Sequence, residues 1–205
     1  PTKEMIDPVR FISNESSGKQ GYAIAETLQS LGAKTTLVSG PTSLAEPNVE
    51  QVIKVNSADQ MLEACESSLP ADIAVCAAAV ADYKIANKEI AKIKKDGSRQ
   101  NIILEENPDI LERLSKRNHL RPKLVVGFAA ETSNLERNSD EKLSKKGCDW
   151  VLGNNVSENS IFNQDTNKIY FTSKLYSENW ELMTKKEVAK KLCQKISLHL
   201  NNRCY

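Results

Sequence analysis

ADIAVCAAAVADY, residues 71–83, decides the fold. From Ile73 to Ala81 no polar side chain interrupts it, and it shows no alternation. A short run of this kind suits a strand buried on both faces, the situation inside a parallel sheet. KLVVGFAAET (123–132) repeats the pattern, and WVLGNNV (150–156) gives a shorter version followed by a polar loop. What lies between the runs is helical. SADQMLEACESSL (57–69) is capped by Ser57 with Asp59 in the first turn, NPDILERLSKR (107–117) has Pro108 near its start, and NSDEKLSKKGCD (138–149) stops at Gly147. Strands separated by helices predict an α/β class with a doubly wound, Rossmann-like parallel sheet.

The flanks extend the pattern. QGYAIAETLQSLG (20–32) sets Tyr22, Ile24, Ala25, Leu28 and Leu31 at helical spacing, with Gly32 as the stop. AKTTLVSG (33–40) and VEQVIKVNS (49–57) read as two strands. TNKIYFTSKLYSENWELM (166–183) alternates apolar and polar residues, which predicts a C-terminal antiparallel hairpin appended to the parallel sheet. TKKEVAKKLCQKISLHL (184–200) is an amphipathic helix. No repeat or linker divides residues 1–205, so a single domain is expected.

Composition narrows the function classes. The 205 residues are 40% hydrophobic and 27% charged, as in ordinary globular proteins, and the net charge of +1 gives no general bias toward nucleic acid. Five cysteines without a C-x-x-C pair argue against a disulfide framework or a zinc ribbon and fit a reducing cytoplasm. Two histidines make a His-based metal site or a Ser/His/Asp triad a poor fit. No apolar run approaches the roughly 18 residues that span a bilayer, so no membrane partner is expected.

Several segments could carry chemistry. Ser16-Ser17-Gly18-Lys19 stands before a helix start, where backbone N–H groups attract anions; an ordinary capped turn has the same composition. Lys92, Lys94, Lys95 and Arg99 form a basic run that is either a solvated loop or a loop that closes over a polyphosphate. Asp82 and Phe128 follow buried strands, where ligands of open α/β sheets bind. A cap and a core aromatic would look alike there. Lys142 and Lys146 share a helix face. Cys76, inside its apolar run, reads as an inert core thiol.

The ordered blocks DPVRFISNESSGKQGYAIAE (7–26), TLVSGPTSL (36–44), AAAVADY (77–83), KIKK (92–95), NPDIL (107–111), VVGFAAET (125–132) and NNVS (154–157) resemble the phosphopantothenate–cysteine ligases, and KIKK resembles the bacterial CTP-dependent type. The resemblance implies a ligase of coenzyme A biosynthesis. It joins 4′-phosphopantothenate to cysteine through an acyl-cytidylate, with CTP converted to CMP and pyrophosphate and with Mg²⁺ present. It implies Asn14, Lys92 and Arg10 as catalytic residues and Ser16, Ser17 and Gly18 as the substrate seat. Ala78, Asp82, Lys92, Pro108, Asp109, Ile110, Phe128, Lys142 and Lys146 would form the nucleotide pocket. It also implies a homodimer, with KIYFTSKLY (168–176) as a candidate interface hairpin. Metal ligands are left unknown: Asn154-Asn155 stands where the family carries Asn-Asp. The family has an apolar strand immediately before the position of Pro1, so a sheet short of one central strand is expected. Bacterial members are often fused to a flavin-dependent decarboxylase; nothing in residues 1–205 resembles it, and no flavin is expected here. The alternatives are an NAD(P)-dependent oxidoreductase of Rossmann type, although the glycine fingerprint is lacking, and a nucleotide-binding module without activity.

Overall fold

In the computed structural model, residues 1–95, 97, 99, 101–156 and 165–201 are described. The chain opens with a hairpin, β1 (Glu4–Asp7) and β2 (Arg10–Ile12), followed by α1 (Lys19–Ser30), β3 (Thr36–Ser39), β4 (Gln51–Lys54), α2 (Ala58–Ser67) and β5 (Ile73–Cys76). A second hairpin follows, β6 (Tyr83–Ile85) and β7 (Leu104–Glu106). Then come α3 (Ile110–Ser115), β8 (Leu124–Glu131), α4 (Leu135–Lys146), β9 (Trp150–Asn155), β10 (Thr166–Ser173), β11 (Ser177–Thr184) and α5 (Lys185–Asn201).

The main sheet has the order β11-β10-β9-β8-β5. β5, β8 and β9 are parallel, whereas β9–β10 and β10–β11 are antiparallel. The parallel α/β expectation holds, with one difference in the hairpin: β10–β11 continues the central sheet instead of standing apart from it. β3 and β4 form a separate parallel pair, and among the described residues no ladder joins β3 to β5. Pro1–Lys3 runs between the ends of these two sheets. Thr2 N–H donates to Ala79 O (3.3 Å), and Lys3 N–H donates to Asn56 O (2.7 Å).

β8 explains why its sequence is apolar throughout. Leu124 and Val126 face one side, packing with Ala23 and Ile24 of α1, Val188, Leu192 and Ile196 of α5, and Phe171 and Trp180 of the hairpin. Val125 and Ala129 face the other side, where Leu111 of α3 and Leu143 of α4 cover them. Alternate side chains therefore enter two different cores. Trp180 is fully buried, stacks on Phe171 at 5.8 Å, and donates its indole N–H to Glu178 Oε1 at 2.7 Å.

Local signals place the helices. Ser57 and Gln60 form a reciprocal capping box on α2, as the sequence predicts for Ser57, and the buried Glu4 carboxylate accepts from Ala58 N–H at 2.9 Å. Asp109 caps α3. Gly147 ends α4 with φ 68°. The α1 stripe differs in one member: Leu31 is 59% exposed, because the helix ends at Ser30 and Leu31 turns out of the stripe, while Ala23 takes a buried place.

α4 lies so close to β9 that a Cβ on Gly153 would fall 2.2 Å from Ser139 Oγ and 2.8 Å from Leu135 Cδ1. In Gly153→Ala the new methyl must displace the Ser139 hydroxyl and the end of the Leu135 side chain. The expected cost is about 1–3 kcal/mol, a fall in Tm of roughly 3–10 °C by scanning calorimetry.

Candidate active site

The apolar run that decides the fold stops being a strand at Cys76, and Ala77–Asp82 becomes a loop beyond the carboxyl end of β5. Four consecutive carbonyls of this loop are held. Ala79 O accepts from Thr2 N–H (3.3 Å), and Val80 O accepts from the Asn14 side-chain amide (3.0 Å). Ala81 O and Asp82 O accept from the Asn107 side-chain amide and the Asn107 backbone N–H, both at 2.8 Å. Thr2 Oγ1 returns a bond by accepting from Ala81 N–H (3.0 Å). The loop is thus clamped on one side by the segment containing Asn14 and on the other by the residues leading into α3.

Arg10, Asn14, Ser16, Ser17 and Gly18 lie on the first side. Asp7, its side chain fully buried, accepts from Val9 N–H and Arg10 N–H (2.9 Å each) and from Ile93 N–H (3.2 Å). Arg10 Nε lies 3.4 Å from Asp7, and its guanidinium donates to Ile93 O at 2.7 Å. Burial pushes the Asp7 carboxyl up, but its three backbone donors and Arg10 more than reverse that and hold it below the ordinary value. The basic loop is therefore tied to β1–β2 at Ile93. Arg10, Lys92, Lys94 and Lys95 line a depression of about 690 Å³. Lys92 itself is exposed; Asp96, Ser98 and Gln100 lie outside the described residues.

Gly18 adopts a left-handed conformation (φ 76°) at the start of α1, which has no side-chain cap. Ser16 and Ser17 hydroxyls accept from Gly18 N–H and Lys19 N–H, and Thr42 Oγ1 donates to Ser17 O (3.1 Å). Lys185 stands by the same turn: its carbonyl accepts from the Gln20 amide at 3.0 Å. It is 9% exposed, and burial together with the neighbouring Lys19 ammonium lowers its pKa despite Asp165. Sequence reading passes over Lys185 as one more lysine of an amphipathic helix.

Asp109, Ile110, Lys142 and Lys146 come together on the second side, where they meet the backbone carbonyl of Phe128; the Phe128 side chain packs on the opposite face of β8, against the core that α1 and α5 cover. Lys142 Nζ donates to Phe128 O at 2.7 Å. Lys146 Nζ pairs with Asp109 Oδ2 at 2.6 Å and lies 3.5 Å from Glu112. Both ammonium groups are thus engaged by protein oxygens. Ile110 is buried in the core between α2 and α3, so only its backbone is available to a ligand. The sequence suggests that Phe128 follows the strand, but β8 runs on to Glu131, so Phe128 lies inside it, paired with Leu152 of β9 and half-buried against the large core. The Asp82 side chain is exposed. Asn154 is half-buried at the end of β9 and Asn155 is exposed. Burial pushes the Cys76 thiol up to about 12, which fits an inert core residue.

Residues 1–199 match the model of the DNA/pantothenate metabolism flavoprotein C-terminal domain. The chain belongs to this family. It is 42% identical over 197 residues to the coenzyme A biosynthesis bifunctional protein CoaBC of Haemophilus influenzae, covering 96% of the chain and 49% of that protein. It is 42% identical over 175 residues to the CoaBC of Escherichia coli K12, covering 83% of the chain and 43% of that protein. The chain therefore spans about half the length of the curated relatives it matches. A crystal structure of the C-terminal domain of CoaBC superposes with a TM-score of 0.81 at 37% identity, covering 98% of this chain and 92% of that one. The DNA/pantothenate metabolism flavoprotein from Streptococcus pneumoniae, at 24% identity and a TM-score of 0.80, shares the fold. The oxidoreductase and inactive-module alternatives find no support among these relatives.

The Asp109–Lys146 pair gives a measurable consequence. Burial alone would raise the Asp109 pKa, but the Lys146 ammonium and the Glu112 N–H more than reverse that and hold it below the ordinary value. A depressed folded value means that the pair stabilises the fold above the ordinary carboxylate range, and that this contribution is lost as pH falls through the folded value. Removing the ammonium with Lys146→Gln is expected to raise the Asp109 midpoint toward or above the ordinary value, read by ¹³C NMR of the carboxyl carbon.

Proposed function

We propose that the chain is a CTP-dependent phosphopantothenate–cysteine ligase. The observation that supports this reading is the shared loop. One four-carbonyl segment, Ala79–Asp82, is held by Asn14, from the segment that carries Arg10, and by Asn107, from the residues that lead into Asp109 and its partner Lys146. A ligase that activates a carboxylate on a nucleotide needs both substrates to meet at one wall. Anion meets anion there, so cations and preorganised donors have to offset the repulsion.

In the proposed reaction the carboxylate of 4′-phosphopantothenate attacks the α-phosphorus of CTP and pyrophosphate leaves. The amine of cysteine then attacks the acyl carbon, the acyl–phosphate bond breaks, the amide forms and CMP departs. Asn14 carries two amide N–H groups; one is taken by Val80 O and the second can donate to the acyl carbonyl oxygen. Arg10, held by Asp7, orients the anionic substrate with Ser16, Ser17 and Gly18. Lys92, next to the anchored Ile93, closes over the phosphates. Ala78 and Asp82 line the nucleotide. Pro108 to Ile110 present backbone to it, Phe128 borders the base, and Lys142 and Lys146 complete its site by exchanging a protein oxygen for a ligand oxygen. Among the described residues no three Asp, Glu, His or Cys side chains come together to hold a metal. Mg²⁺ is therefore proposed to arrive with the triphosphate, and none of these residue roles passes through it. No flavin is proposed.

A cytoplasmic location is proposed, since five cysteines without a C-x-x-C pair fit a reducing compartment. A homodimer is proposed as well. In KIYFTSKLY, β10 is paired on both edges, by β9 and β11, and Leu175 and Tyr176 at its turn are exposed. Val9, Phe11, Tyr83, Ile90, Ile103 and Leu104 form a larger exposed apolar set on the two hairpins β1–β2 and β6–β7 and the loop beside them, and that set is the interface proposed here. Glu89 N–H donates to Ile6 O (3.0 Å) and joins that loop to β1.

Pyrophosphate release with CTP, Mg²⁺ and 4′-phosphopantothenate tests the reaction. Release should require phosphopantothenate, exceed that with ATP, and rise with cysteine. Asn14→Ala and Lys92→Gln should each lower kcat by about 10²–10³ with Tm nearly unchanged. Absence of release with either nucleotide would remove the ligase reading. For the dimer, sedimentation velocity should show two subunits for the unmodified chain and one for Ile103→Glu.

A further inference from the structure

Asn107 is unusual among the polar groups around the loop. Its amide nitrogen donates to Ala81 O and its backbone N–H to Asp82 O, yet its amide oxygen is buried without a hydrogen-bond partner among the described residues. A buried acceptor left unpaired costs stability, and folded proteins keep few of them. A residue chosen only for packing would be an apolar one of the same shape, and a residue chosen only to cap a turn would keep both amide atoms paired. Asn107 does neither. It holds Ala81 while immediately preceding Pro108-Asp109, where Asp109 caps α3 and pairs with Lys146.

We propose that Asn107 is a positioning residue for the nucleotide half of the site. Its amide fixes the Ala81–Asp82 wall at a set spacing from the start of α3, and so fixes the width of the slot that receives the nucleotide. This inference rests on the ligase reading and deepens it. Asn14 and Asn107 then divide the labour on adjacent carbonyls: Asn14 holds Val80 from the acyl-substrate side and Asn107 holds Ala81 from the nucleotide side. Asn107→Ala and Asn107→Asp both keep the backbone N–H that donates to Asp82 O, so they remove the side-chain clamp and leave that donor in place.

Asn107→Asp keeps the shape and replaces the donor by an acceptor facing Ala81 O; Asn107→Ala removes the amide. Steady-state kinetics with each substrate varied at saturating levels of the others should show the KM for CTP rising about tenfold, the effect of one hydrogen bond. The KM for 4′-phosphopantothenate should stay within about twofold and Tm nearly constant. Without any ligand, amide hydrogen exchange at residues 79–82 should quicken in both variants. An unchanged KM for CTP overturns the proposal. So does a lowered Tm with both KM values rising together, which would make Asn107 structural only. An unmodified chain that neither binds CTP nor releases pyrophosphate would instead remove the ligase reading, and this inference with it. An active unmodified chain with unaffected variants removes the inference alone.

Discussion

Everything in this structure depends on β8 being buried on both faces. Leu124 and Val126 enter one core, and Val125 and Ala129 enter the other. A strand in that position has no face left for water, so helices must cover both sides, α1 and α5 on one and α3 and α4 on the other. Parallel pairing with β5 and β9 follows, and the carboxyl ends of all three strands emerge at the same edge. The Ala77–Asp82 loop stands there because that edge is where helices stop covering the sheet.

The edge becomes a site through polar clamps. Apolar packing can bring the strand ends together but cannot set a loop's carbonyls in one orientation. Thr2, Asn14 and Asn107 do that with directed hydrogen bonds. On the substrate side Asp7 has a similar role. A fully buried carboxylate that accepts from Val9, Arg10 and Ile93 ties two distant stretches of chain, residues 7–10 and the basic loop, to one point. The cationic side chains around it are left exposed on a fixed base, the arrangement that suits capture of an anionic ligand.

Much of this was readable in the residues. The unbroken apolar runs marked β5 and β8 because double burial removes polar positions, and Ser57, Gly147 and the residues leading into α3 marked helix ends because capping chemistry is local. The site residues on the two sides of the loop were legible only through the ordered blocks; each block alone has a bland reading. The short hairpins β1–β2 and β6–β7 were not legible. They have three or four residues per strand, and β6 and β7 are separated by 18 residues of charged loop, so neither shows a period. Leu31 and the hairpin β10–β11 show the same limit. Spacing tells which residues share a face, but not where a helix is cut off or what a strand edge pairs with.

By itself the sequence determined the α/β class, the buried strands, most of the caps and, through its ordered blocks, the family. Those properties depend on side-chain type at near neighbours in the chain. Only the tertiary structure decided that Asn14 and Asn107, 93 positions apart in the numbering, hold adjacent carbonyls. It alone decided that Lys146 faces Asp109 and that Lys185 lies buried beside the first turn of α1. These pairings join residues distant along the chain. Hydrogen-bond direction and burial, which arise only once the sheet and its helices have packed, select them from many chemically equivalent partners.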